Sequence, residues 1–283
     1  MSGTPLHKTG MSIKMRQNAW FSPRRVGAMV LRYVYLIRGS WPRVIELAYW
    51  PTMQMILWGF ITLFLMGHSN FITQAFGILL SGVLLWDVLF RGQLGVSISF
   101  LEEMWSRNLG HLFVSPLRPY ELLASLMVVS LIRTLIGLIP ASFLALLLFG
   151  FSLYSLGLPL VGFFFNLIVM GWSIGFMVSG LILRAGLGAE SMAWATIFAI
   201  APICGIYYPI EVLPSWLQSI AFFLPASHVF EGMRAILVED IFRPNLMFNA
   251  VLLNIGYLGV GISVFLAFFR SARVHGVILQ IGE

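Results

Sequence analysis

Long apolar runs broken by short polar interruptions fill most of this chain. Six runs stand out, near residues 46–66, 71–91, 120–150, 156–183, 189–208 and 246–269. Crossing the hydrocarbon of a bilayer takes roughly 20 largely apolar residues in helical form. The pattern therefore predicts an all-α membrane protein with six transmembrane helices. The third and fourth runs are long enough to tilt or to project beyond the bilayer. Two stretches between the runs are different. Residues 97–119 are polar, and residues 209–245 are rich in Pro, Glu and aromatics. Within the latter, Trp216–Leu224 is apolar but too short to cross.

The first 45 residues follow another pattern. In helical projection Val26, Met29, Val30, Tyr33, Val34 and Ile37 share one face. Arg24, Arg25, Arg32, Arg38 and Arg43 fall on the other, with Leu31 and Tyr35 as exceptions. A basic amphipathic helix lying in the inner membrane interface is expected here. An anionic leaflet beside a hydrophobic span accounts for the charge better than nucleic acid does. The expected organisation is a basic tail and interfacial helix over 1–45, a six-span transmembrane domain over 46–270, and a tail over 271–283.

Composition sharpens this picture. Of 283 residues, 59% are hydrophobic and 10% charged, and the mean hydropathy is +0.91. A soluble domain carries about 25% charged residues, so several lipid-solvated stretches are needed. Lys and Arg near span ends set orientation. The N-terminus, the 97–119 stretch with Arg107 and Arg118, the Arg184 turn, and the tail with Arg270 and Arg273 fall on one side. The turns at 67–70 and 151–155 contain no Lys or Arg. Both termini are thus expected in the cytoplasm, with the chain in the bacterial cytoplasmic (inner) membrane. The N-terminal residues do not have the pattern of a cleaved signal peptide.

Catalytic and metal chemistry find little support. Lys8 and Lys14 are the two lysines, and neither sits in the glycine-rich phosphate loop of an ATPase. Any ATP hydrolysis belongs to another subunit or domain. The chain holds one cysteine, Cys204, and none of His7, His68, His111, His228 and His275 are spaced i, i+4, so no helical zinc pair is expected. His228 and Glu231 share a helix face; a polar cap or interfacial hydrogen bond suits them better than acid–base catalysis. Asp87 and Arg133 lie inside spans, where a charge costs roughly 2.5–3.5 kcal/mol on insertion scales. Asp87 has Arg91 one turn away. Arg133 must snorkel, face a wet cavity or reach another helix, with Asp87 the first candidate partner. Pro51, Pro140 and Pro202 interrupt spans.

Two segments carry a resemblance. Residues 102–121, E-E-M-W-S-R-N-L-G-H-L-F-V-S-P-L-R-P-Y-E, resemble the cytoplasmic loop of ABC-2 type export permeases, in which an acidic start and a short helix lead into the third span. Residues 208–217, Y-P-I-E-V-L-P-S-W-L, followed by Pro225, His228, Glu231 and Arg234, are similar to the segment before that family's last span. At Trp105–Asn108 the chain departs from the commoner pattern, which often has a Gly-Thr pair there. The resemblance implies a dimer, with a second copy or a paralogue, each subunit bound to a separate ABC ATPase that carries ATP and Mg, and it implies export. On this reading Glu102, Glu103, Met104, Arg107, Leu109 and His111 form a helix that seats in the ATPase. Phe100, Met104 and Leu109 would supply its apolar contacts. Residues 209–245 would form short re-entrant half-helices capping the exit, with Glu211, Trp216, His228, Glu231 and Arg234. The cargo expected is amphipathic: a drug, a lipid, or a lipid-linked or polymeric saccharide. The alternatives are an intramembrane lipid-modifying enzyme, which would need more converging acids or histidines, and an ion-coupled secondary transporter, which would show more buried acids and internal repeats.

Overall fold

A computed structural model describes residues 21–66 and 75–274. The stretch with His7, Lys8, Lys14 and Arg16, the turn with His68 and Ser69, and His275 lie outside the described residues. Among these residues all regular structure is helical, in ten α-helices and three short 3-10 turns. Helix α1 spans Pro23–Arg38, α2 Trp41–Met66, α3 Ala75–Trp105, α4 Leu109–Val114 and α5 Pro119–Phe149. Then follow α6 Pro159–Ala185, α7 Ser191–Ile200, α8 Ser215–Phe222, α9 Pro225–Glu239 and α10 Pro244–Val274.

Local chemistry sets the boundaries. Proline stands in the first turn of α1, α5, α6 and α9, where its missing N–H has no intrahelical acceptor to lose. Helix α5 stops at Gly150, whose φ of 64° is left-handed; its N–H returns to Leu146 O and that of Phe151 to Ala145 O.

Among the described residues, five helices are long and apolar enough to cross a membrane: α2, α3, α5, α6 and α10. A sixth crossing is reached if α8 and α9, which meet at a 97° bend, are one broken span. The expected fifth span, 189–208, differs in form: only Ser191–Ile200 is a continuous helix, and turns occupy the residues up to 208. Ten residues rise about 15 Å, half a bilayer core. The second expected span also differs. Helix α3 continues past residue 91 to Trp105 and takes in the start of the polar stretch.

Helices α3 and α6 form the centre of the bundle, largely buried, while α2 and α10 are mostly exposed. Backbone-to-backbone approach makes the centre tight. A Cβ on Gly171 of α6 would stand 2.7 Å from Leu89 O of α3, and one on Gly261 of α10 would stand 2.6 Å from Ser173 O of α6. Membrane helices pack closely where small residues let the backbones meet. Asn254 of α10 pins the second contact by donating to Asn166 Oδ1 at 2.8 Å.

Helix α1 carries the expected apolar face, but the chain itself covers it. Met29, Tyr33 and Ile37 are buried, and Tyr33 Oη donates to Ser99 O at 3.3 Å. Burial and the neighbouring Glu103 carboxylate push the Tyr33 phenol far above its usual range, which keeps it a neutral donor. The outward face holds Arg24, Leu31, Tyr35 and Arg38.

Candidate functional site

Helix α3 ends, α5 begins, and α1 and the start of α2 gather at one end of the bundle, the loop end. Three acids organise it. Glu103 receives both terminal nitrogens of Arg32 from α1, at 2.5 and 3.1 Å, and Asn108 Nδ2 at 2.6 Å. Glu121, in the first turn of α5, accepts from Arg25 Nη2 at 2.8 Å, Ser22 N at 2.8 Å and Arg118 N at 2.9 Å. Glu102 receives Arg133 Nη2 at 2.8 Å and faces Arg43 Nη1 of α2 at 3.8 Å. All four helices that meet here are thus tied by charge-assisted hydrogen bonds or ion pairs. Sequence reasoning missed the three contacts to Arg25, Arg32 and Arg43. The available signal was an arginine-rich N-terminus without an acid facing a loop that opens and closes on glutamates.

The Arg133–Glu102 pair replaces the expected Arg133–Asp87 pair. Asp87 is held instead by Arg91 Nε at 2.6 Å, one turn on in its own helix. Side-chain direction explains the exchange. Ser130 Oγ donates to Gly92 O at 2.8 Å, and a Cβ on Gly95 would stand 3.0 Å from Ser130 Cα, which sets the antiparallel register of α3 and α5. Arg133 and Glu102 then lie about 15 Å apart along the axes. Helical side chains lean toward their own N-terminus. Arg133 leans down α5 and Glu102 leans up α3, so the two long side chains close the gap.

The expected docking helix over Glu102–His111 is broken in two. Glu102, Glu103 and Met104 are the last turn of α3. The chain then turns at Ser106–Asn108, with Arg107 at a φ of 53°, and restarts as the short α4. Met104 and Leu109, expected as exposed anchors, are buried in the bundle, as is Phe100. They hold the loop to the protein, since apolar side chains at the end of a bundle first satisfy that bundle's own core. What faces outward is Trp105, 46% exposed, Val114, 90% exposed, and the exposed Arg107 and His111. The reversal at Arg107 turns these residues away from the bundle.

At the opposite end lies the bent pair. His228, Glu231 and Arg234 follow one another at single-turn spacing on α9, and each binds backbone from the run before it. His228 Nε2 pairs with Phe222 O at 2.8 Å. Glu231 Oε1 accepts from Ile210 N at 2.9 Å. Arg234 donates to Gly205 O at 2.7 Å and to Glu231 at 2.7 Å. Helix α9 therefore acts as a spine against which residues 205–222 are fastened. Each contact fills a backbone group that a bend leaves without a helical partner. His228 and Glu231 serve different backbone groups and do not converge on a shared point, as acid–base work would require. Glu211 and Trp216 are exposed, Trp216 at 65%.

Residues 33–238 match the family model for ABC-2 type transporters, a range that contains α2–α8, all but the last residue of α9, and the loop-end acids. Over 153 residues the chain is 25% identical to the probable multidrug ABC transporter permease YbhR of Escherichia coli strain K12, covering 51% of this chain and 39% of that one. The same figures hold for the protein of that name in E. coli O157:H7. The match thus spans well under half the length of these curated relatives. With the family model matched over most of the chain and at least five apolar helices of crossing length, this protein belongs to the ABC-2 type transporter family.

Proposed function

We propose that the chain is the permease subunit of an ATP-driven exporter in the bacterial cytoplasmic membrane, working as a dimer with a second copy or a paralogue. The loop end faces the cytoplasm, with both termini, and a separate ABC ATPase docks there, carrying ATP and Mg. Helix α1 lies at the inner membrane interface, with its outward arginines toward anionic lipid headgroups. The bent α8–α9 pair closes the outer side. The cargo is amphipathic, and the likeness to a probable multidrug permease favours an apolar drug-like compound over a saccharide.

One observation carries this reading. At the loop end, a short exposed segment, Trp105–Val114, is anchored through buried Met104 and Leu109 and tied by Glu102, Glu103 and Glu121 to α1, α2 and α5. A force applied to that segment reaches four helices at once. Docking energy at such surfaces comes from a few exposed apolar or aromatic anchors, here Trp105 and Val114.

Co-purification with the cognate ATPase tests it. Val114→Asp and Trp105→Asp should lower ATPase retention about tenfold, for roughly 1–3 kcal/mol of unpaired polar burial, at unchanged membrane abundance. Met104→Asp should lower abundance itself, because it charges the core. Full ATPase retention by Val114→Asp and Trp105→Asp together would remove the loop from the docking surface.

A further inference from the structure

Helix α2 is attached unevenly along its length. From Pro51 onward it has a buried seam, Pro51, Met55, Gly59 and Thr62, on a single helix face. The Phe149 ring occupies the space a Cβ on Gly59 would need, and Trp58 stacks on Tyr207 at 4.7 Å. Before Pro51 no residue of α2 is buried. There a side-chain tie to the bundle is the Arg43–Glu102 ion pair, at 3.8 Å and with Arg43 46% exposed.

The change falls at the proline for a chemical reason. Pro51 has no N–H, so the carbonyl of Leu47, four residues earlier, loses its helical donor. That carbonyl meets the neighbouring helices at a glycine: a Cβ on Gly137 of α5 would stand 2.8 Å from Leu47 O and 2.8 Å from Arg91 Nε. The freed carbonyl, the guanidinium that pairs with Asp87, and a residue without a side chain thus converge at one point. A helix lacking one hydrogen bond, with a polar neighbour beside the freed acceptor, bends there at low cost.

We propose that Pro51 is a hinge on which Trp41–Trp50 and α1 swing as one arm. The arm is latched to α3 by Arg32–Glu103, to α5 by Arg25–Glu121, and to the bundle by the buried Met29, Tyr33 and Ile37 of α1, while the rest of α2 stays fixed to the bundle. Gly137, which has no side chain, leaves room for the Leu47 carbonyl and the Arg91 guanidinium beside it in the latched position. Such hinge motions are absorbed by a few residues at an element's weak point. The hinge belongs to the permease alone and requires no ATPase.

Spin-label distances on the permease in lipid nanodiscs test it without any partner. Cys204 is fully buried, so the wild-type chain serves as the unlabelled background. One label pair, at Glu46 and Ala185, reports the arm against α6; a second, at Leu63 and Leu158, reports the fixed part of α2 against α6. Breaking the latch with Glu103→Gln and Glu121→Gln together with Tyr33→Ala, which removes the buried anchor of α1, should widen the first distribution about twofold and leave the second unchanged. Adding Pro51→Ala or Pro51→Leu, either of which restores a donor to Leu47 O, should return the first distribution to its latched width. A changed second distribution marks a misfolded variant, and the other blocking variant then decides. An arm distribution that does not widen on unlatching, or that stays wide with both blocking variants folded, would overturn the hinge.

Discussion

Neutralising Glu102 should harm this protein more than removing Arg133, although the two form one ion pair. Arg133 is 9% exposed at its side chain and Glu102 is 18% exposed, so the arginine is the more deeply placed charge. Glu102 also has a second cation, Arg43 at 3.8 Å, and Arg133 has an unpartnered Nε. In Arg133→Met the carboxylate keeps Arg43 and its partial solvation, and the loss is about 1 kcal/mol, the scale of one net hydrogen bond. In Glu102→Gln the guanidinium loses its counter-charge. Breaking a buried pair from one side costs about 3–5 kcal/mol, reduced here to roughly 2–3 because the amide oxygen still accepts a hydrogen bond. The double variant removes the stranded charge and should return close to Arg133→Met alone, giving a coupling of about 2–3 kcal/mol. Thermal unfolding in a mild detergent reads this directly. At about 2–4 °C per kcal/mol, Glu102→Gln should fall roughly 4–12 °C and the other two only a few degrees. A larger loss for Arg133→Met, or a double variant that sums the two singles, would refute the assignment of Glu102 as the arginine's essential partner.

Three further outcomes follow from the same geometry. Glu231→Ala should destabilise the cap by about 2–3 kcal/mol, because it strands Ile210 N and the buried Arg234, whereas Glu231→Gln, which still accepts from Ile210 N, should cost about half as much; equal unfolding midpoints for the two would remove the backbone contact from the argument. Gly171→Leu should prevent α3 and α6 from meeting and abolish a monodisperse peak on size exclusion, since even a Cβ there stands 2.7 Å from Leu89 O; a normal elution profile would contradict the central packing. Cysteines at Ser155 and Ser215 should react with an impermeant reagent added outside intact cells, and one at Ser106 should not; labelling at Ser106 would invert the proposed orientation.

The helices were largely legible because lipid demands a simple code, long apolar runs with charge at their ends. Where the reading diverged, a second force competed with that code. Residues 189–208 are apolar enough to span, yet the chain leaves the helix after Ile200, beside Pro202. Met104 and Leu109 pattern as an amphipathic surface, but periodicity shows that an apolar face is covered without showing by what. The bundle's own core covers them, as it covers the apolar face of α1. Arg133 was visible as a charge needing a partner. Its choice of Glu102 over Asp87 depended on the α3–α5 register and on the opposed lean of the two side chains. The His228, Glu231 and Arg234 run was visible as a motif, whereas its backbone partners at 222, 210 and 205 exist only once the chain has bent.

ATP-driven export by the reconstituted complex is the most direct test of the proposed function. The permease and its cognate ATPase would be placed in proteoliposomes, ATPase side outward, with a fluorescent amphipathic drug outside. ATP with Mg should drive the drug into the lumen. An ATPase variant without its phosphate-binding lysine should reduce uptake to the level without nucleotide, and a Val114→Asp permease should lower it about tenfold. Uptake that persists at the full rate with the inactive ATPase, or that follows an imposed ion gradient in place of ATP, would contradict the account.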